Sequence, residues 1–221
     1  MAATSQVIVG ARTQAKADGA VASLQALGQS QAVSSVVLDV MDAQSVAAAA
    51  DQIARQYGHV DVLVHNAAIY GSEQVSADTL GATFDVNVVG PVRVTDAFFP
   101  LLLKSSEPRL VFVTTSLSSL TYSGDKKSHH YGPYALELRV TKAALNMLMV
   151  EYANHPKFAA IKVLGADPGF LATDFSGDAD RVRQMGAAEP ETGAEFLLGV
   201  IKGEKDADVG KSVGVWGVNP W

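Results

Sequence analysis

Tyr134, Leu138 and Lys142 fall at four-residue intervals in the stretch YGPYALELRVTKAAL. On an α-helix that spacing stacks side chains on one face, a turn apart. An ammonium beside a phenol favours the phenolate and draws the phenol pKa down from near 10, which suits it to proton transfer. The position one turn before Lys142 is held by leucine, which has no proton to give. Tyr134 stands one turn farther away, about 5.4 Å along the axis, a gap that one water would bridge if the helix already runs through it. Pro133 suits a first helical turn; the alternative is that Tyr134 only packs at the helix start. Tyr131 is a looser candidate.

Other polar residues sit at the ends of apolar runs. Thr115 and Ser116 close LVFVTTS, and their hydroxyls both donate and accept. Asn87 in DVNVVG needs a hydrogen-bond partner if it is buried. Asp39, followed by Val40, ends SSVVLDV and reads as a ligand acceptor or as a solvated cap. Asn66, Ala67 and Ala68 follow HVDVLVH, where small residues make a tight turn or let a ligand approach the backbone. Asp167 is an acid if burial raises its pKa, or a turn residue before Pro168; the turn is preferred. His129 and His130 in DKKSHH lie in a polar loop, and no metal site is expected.

The elements that must position these groups follow from pattern. Short apolar runs alternate with amphipathic segments, which is the signature of an α/β fold. QVIVGA, SSVVLDV, HVDVLVHNA, PRLVFVTTS, AAIKVLGADPG and KSVGVWGV read as six strands, continuously apolar as strands covered on both faces should be. Residues 42–58 predict a helix with Asp42 as N-cap and Gly58 as stop. Residues 13–28 predict another, with Thr13 as cap, Leu24 and Leu27 inward and Gly28 ending it. A long helical tract covers residues 80–104, kinked or divided at Pro91 and Pro100. Residues 170–190 lack clear periodicity and form a candidate substrate flap.

Composition bounds the function. The chain has 221 residues, 48% hydrophobic and 18% charged, which fits one domain spanning residues 1–221. A net charge of -6 and a pI near 5.3 argue against nucleic acid as a partner. With no cysteine, disulfides and thiolate chemistry are excluded. No window approaches the length of a membrane span and no signal peptide is visible, so a cytoplasmic protein without membrane contact is expected.

The motifs together resemble the short-chain dehydrogenase/reductase family, of the classical single-domain type, and particularly its fungal representatives. LDV, HNAA, FDVNVVG, LVFVTTS, the Lys142 helix and DPGFLATD occur in the family's order, and the likeness covers nearly the whole chain. It implies a Rossmann-like, doubly wound parallel sheet and a nicotinamide cofactor. In the resemblance Asp39 and Val40 meet the adenine, and Asn66 and Ala67 the ribose. Arg12 matches the arginine that pairs with the 2'-phosphate of NADP(H), or is a surface charge. Pro168 and Gly169 match the turn that supports the nicotinamide, and Thr173 the residue that contacts its amide or the pyrophosphate. Asn87 holds a relay water, Thr115 with Ser116 beside it bonds the substrate carbonyl, and Lys142 serves both cofactor and catalysis.

Two departures stand against that likeness. The family's first strand, glycine-rich turn and helix have no counterpart, because QVIVGA reads as the second strand and no G-x-x-x-G-x-G occurs. About 30 residues are needed for such a unit. Its loss leaves a gap in mid-sheet, so the chain is expected either to be a fragment or to shift QVIVGA into the empty slot. Exposed edge backbone is costly, which favours the fragment. Second, the family's Tyr-x-x-x-Lys has Leu138 in place of the tyrosine, and losing a positioned acid costs about a hundredfold to ten-thousandfold in rate. Three readings follow: an impaired NADP(H)-dependent oxidoreductase of a carbonyl or alcohol; a redox-silent cyclase, isomerase or dehydratase; or a non-catalytic subunit. The substrate is expected to be an apolar or aromatic small molecule, and the chain a homo-oligomer.

Overall fold

A computed structural model describes residues 5–26 and 32–221. Its strands form two separate sheets. In the smaller, β1 (Val7–Ala11) pairs in parallel with β2 (Val33–Val37), Val7 opposite Val33. In the larger, β3 (Val62–His65), β4 (Arg109–Val113), β5 (Lys162–Asp167) and β6 (Ser212–Gly214) lie parallel in that order. β7 (Gly217–Val218) turns back antiparallel on β6. The run KSVGVWGV is therefore a hairpin rather than one strand; Gly217, at φ 115°, lets the chain reverse.

QVIVGA does not move into the slot beside β3. Among the described residues β1 pairs only with β2 and β3 only with β4, so each presents an unpaired edge. Apolar packing still connects the halves. Ile8 and Leu38 meet the same buried cluster as Leu63, around Ala50, Ile53, Val94 and Phe98.

The helices follow local signals where those are strong. α1 (Gln14–Ala26) buries only Ala17, and Leu24 is half-buried; the expected Leu27 and the stop at Gly28 lie outside the described residues. α2 (Ala43–Tyr57) is capped by the Asp42 carboxylate, which accepts from the Gln44 N–H, and ends where Gly58 at φ 79° donates to the Ala54 carbonyl. The tract from residue 80 divides, but not at the prolines. α3 (Ala77–Phe84) gives way to a π-helical turn, Asp85–Val89, and then α4 (Gly90–Leu102), which takes Pro91 in its first turn and Pro100 inside it.

α5 (Leu120–Gly124) is short, and α6 (Leu136–Asn154) is the longest helix among the described residues. Residues 170–190 are ordered by α7 (Ala179–Gln184) and a small core of Ala172, Val182 and Ala187, ahead of α8 (Pro190–Ile201). No described helix is long and apolar enough to cross a membrane.

The larger sheet is covered on both faces, as its unbroken apolar runs require. Leu110 and Phe112 of β4 point with Val163 toward Leu145 and Met149 of α6 and Leu102 of α4. Between them Val111 points the other way, with Ala166 and Val213, toward Val200 and Phe196 of α8. This two-residue alternation makes the α/β Rossmann-like architecture and fixes α6 along the face of β4 and β5, with Lys142 at the carboxyl end of β4.

Candidate active site

The π-turn between α3 and α4 turns the Asn87 side chain inward, where it is fully buried. Its Nδ2 donates to the Ile69 carbonyl at 2.9 Å and to Thr141 Oγ1 at 3.0 Å, while its Oδ1 accepts from the Ile69 N–H at 2.8 Å. Thr141 in turn donates to the Glu137 carbonyl at 2.7 Å. Asn87 thus ties the loop after β3 to α6, one residue before Lys142. Lys142 is buried, and Nζ donates to the Val113 carbonyl at the end of β4, at 2.6 Å. Burial pushes its pKa down to about 8. On the sheet below, His65 lies against Phe112 and shares a hydrogen bond with Thr95 Oγ1 at 2.8 Å. Burial, then the charge of Lys142, pushes the imidazole down to about 3.

The hydroxyls after β4 make local structure. Thr115 Oγ1 accepts from the Leu117 N–H, starting a 3-10 turn at Ser116–Ser118. The Ser116 N–H donates to Asp167 Oδ2 at 2.8 Å. Asp167 also accepts from the Gly169 N–H and from Asn219 Nδ2, so it acts as the turn residue preferred from sequence, fastening β5, the turn after β4 and the C-terminal tail. Beside it Thr114 donates to Asn146 Oδ1 and Asn146 to Ser118 Oγ, a buried network that anchors this turn to α6.

Beside these groups, bordered by Ile69, Thr83, Ser118 and Glu137, opens a cleft of about 1440 Å³, whose lining does not include Asn87, Thr115, Ser116 or Lys142. Tyr70, Tyr134 and Phe175 form aromatic parts of its lining, with Glu137 and Arg139. Phe175, from the loop expected as a flap, meets Tyr70 edge to face at 5.9 Å. Tyr134 is not on α6. The helix begins at Leu136, and Ala135 before it is left-handed at φ 51°, the one non-glycine with positive φ among the described residues. The Tyr134 phenol donates to the His129 carbonyl at 3.4 Å, and its ring lies 4.9 Å beneath the Arg139 guanidinium. The idea that Tyr134 shares the Lys142 face is thereby corrected: the left-handed residue turns the chain off the helix axis. Leu138 does hold the position one turn before Lys142, buried at 5% exposure.

A second cavity, of about 290 Å³, lies where β1, β2 and β3 end. Arg12, Lys16, Asp39, Val40 and Ala67 line it. Asp39 accepts from the Met41 N–H, and the Val40 carbonyl accepts from Arg93. Asn66 is exposed beside this cavity rather than part of its lining. Pro168, Gly169 and Thr173 follow β5 at the flap's root, with Gly169 at φ 88°. The structure therefore gathers Arg12, Asp39, Val40 and Ala67 at the small cavity, and leaves Asn87, Thr115, Ser116 and Lys142 outside the lining of the large cleft.

Sequence reasoning missed Glu137, Thr141, Tyr70 and Arg139. Glu137 is a carboxylate within an apolar helix face, so its residue type was a signal; its partners lie 54 to 65 residues away and were not.

Comparison with known proteins bears on the family and the fold. The family model described as short chain dehydrogenase matches residues 1–184. The short-chain dehydrogenase/reductase tropE of Talaromyces stipitatus is 36% identical over 200 residues, covering 81% of this chain and 73% of that protein. The short-chain dehydrogenase/reductase eupG of a Phoma species is 32% identical over 226 residues, covering 90% and 81%. NADPH-bound carbonyl reductase from chicken fatty liver shares the fold, with a TM-score of 0.75 at 23% identity over 98% of this chain and 88% of that one. Salutaridine reductase from Papaver somniferum does so with a TM-score of 0.74 at 21% identity, over 89% and 86%. The chain belongs to the short-chain dehydrogenase family of oxidoreductases.

Proposed function

We propose that this chain is an NADP(H)-linked oxidoreductase of a carbonyl or alcohol on an aromatic or apolar small molecule, slowed because its phenol is out of register. The observation that carries the reading is Leu138 at the position one turn before Lys142, with Tyr134 displaced to the cleft. Removing residues 137–140 would join Tyr134-Ala135-Leu136 directly to Thr141-Lys142, leaving the phenol four residues before the ammonium. Tyr134 thus stands four residues too early in sequence and, in the fold, off the α6 axis at the left-handed Ala135. Asn87, Thr115 and Lys142 remain as the catalytic set, with Ser116 beside Thr115.

The residues present fit the adenosine end of the cofactor. Arg12 and Lys16 are exposed cations at the small cavity, suited to a 2'-phosphate, and Asp39, which also lines it, would accept from an adenine amino group. Pro168, Gly169 and Thr173 would support the nicotinamide end. The middle fits less well. A diphosphate is gripped by backbone N–H groups at a helix N-terminus, and among the described residues no strand pairs with both β1 and β3 to carry such a turn and helix into the gap. Bound there, the nicotinamide would supply or take the hydride; the chain's part is to hold the carbonyl at Thr115 and deliver a proton.

Exposed Val89 and Leu103 flanking α4, and Met147 on α6, suit a homo-oligomer packed through these helices. A non-catalytic subunit is the second reading, favoured by the same Leu138. The test compares the parent chain, Leu138→Tyr and a deletion of residues 137–140, each with NADPH and aromatic ketones. The expected result is a rise in melting temperature with NADPH for all three and NADPH oxidation at least about a hundredfold faster in the deletion variant. Ordinary turnover by the parent would remove the proposed impairment. No response to NADPH by any of the three folded chains would favour the non-catalytic subunit.

A further inference from the structure

Glu137 is the most buried carboxylate among the described residues, at 1% exposure, and no ion pair there includes it. A buried charge is tolerated only when its oxygens are satisfied. Here neutral donors do so. Oε1 accepts from Thr79 Oγ1 at 2.6 Å, and Oε2 from the Ser72 N–H and from Thr83 Oγ1, both at 2.9 Å. These bonds, led by Thr79, hold the carboxyl below its usual range despite burial.

The partners come from α3 and from the loop that follows β3. That loop is fastened at two points. Asn87 brackets the backbone of Ile69, and Glu137 takes the Ser72 N–H. Between the fastenings lie Tyr70, whose ring meets Phe175 across the cleft, and Gly71. Gly71 adopts φ 102°, and a Cβ built there would stand 2.2 Å from Glu137 Oε2. The loop passes so close to the carboxylate that only glycine fits.

We propose that Glu137 is a positioning residue: its carboxylate clamps the loop at Ser72 so that Tyr70 stands against Phe175, and it thereby sets the cleft entrance for a flat aromatic substrate. The substrate half rests on the reading of this cleft as the site of reaction. The clamp itself rests only on the geometry of Glu137, Ser72 and Gly71.

The two halves are separated by measuring amide exchange along residues 66–76 and, in parallel, binding of 2-acetylnaphthalene by calorimetry. Glu137→Ala should speed exchange at Ser72 by roughly tenfold or more and weaken the ketone by roughly fivefold. Ile69, held by Asn87, should keep its protection. Glu137→Gln retains an acceptor at the same reach and should stay within about twofold of the parent in both readouts. Gly71→Ala keeps the carboxylate but drives the loop away from it, and should reproduce Glu137→Ala at Ser72. Unchanged exchange at Ser72 in Glu137→Ala overturns the clamp, as does faster exchange spread equally through β4 and β5. Unchanged ketone affinity in Glu137→Ala beside faster exchange at Ser72 overturns the substrate half alone, whereas a parent that protects Ser72 yet binds no ketone overturns the cleft reading and leaves the clamp standing.

Discussion

Lys142 shows how one residue is set by its surroundings. The residue type and the helix that bears it were legible in TKAAL; the orientation of the ammonium was not, because Val113 belongs to a strand 29 residues earlier. Its folded pKa of about 8 lies below the unfolded 10.5. The unfolded chain therefore binds more protons between those values, and parent stability rises as pH climbs from about 8 toward 10.5. At pH 7 the buried ammonium is a net cost. Lys142→Met should therefore be more stable than the parent at pH 7 by on the order of 2 kcal/mol in urea unfolding, with the difference shrinking above pH 8. A variant less stable than the parent at pH 7 would show that the bond to Val113 outweighs desolvation.

At the scale of the element, helix ends divide into those fixed by local chemistry and those fixed by distant partners. Asp42 and Gly58 bound α2 as their residue types predict, and Asp42→Ala should lower stability by about 1 kcal/mol in chemical denaturation. Pro133 suits a first helical turn, yet α6 begins at Leu136, because Gly132, at φ 142°, and Ala135, at φ 51°, do not continue a helix. A left-handed alanine costs roughly 1 kcal/mol, so Ala135→Gly should raise stability by about that amount without lengthening α6, a change that calorimetry would register. The division between α3 and α4 was assigned to proline. It falls instead at the π-turn, where one extra residue per turn directs Asn87 at Ile69 and Thr141.

For the molecule as a whole, the divided sheet governs stability. The β1–β2 pair reaches the remainder through side chains, without a backbone ladder to β3. Amides of β1 and β2 should therefore exchange roughly a hundredfold faster than those of β4 and β5 in native-state hydrogen exchange; equal protection would mean that the halves open together. Unpaired edges at β1 and β3 also make association at high concentration an expected hazard. His65 adds an acid limit. Its pKa falls from 6.5 to about 3 on folding, so its contribution is complete above about pH 6.5 and is lost as pH falls toward 3. The loss should be on the order of 4 kcal/mol, and His65→Gln should flatten the pH dependence of unfolding over that interval.

The sequence by itself determined the alternation of strands and helices, the α/β class, the caps of α2, and the residue types at Asn87, Thr115 and Lys142. Each of these is written in a local pattern, where hydrophobic period and cap chemistry act within a few residues. The tertiary structure alone decided that β1 stays with β2, that Tyr134 leaves the α6 axis, and that Glu137 holds Ser72. Those outcomes depend on backbone edges, a single left-handed dihedral and partners as far as 65 residues apart, quantities that no spacing of residue types encodes.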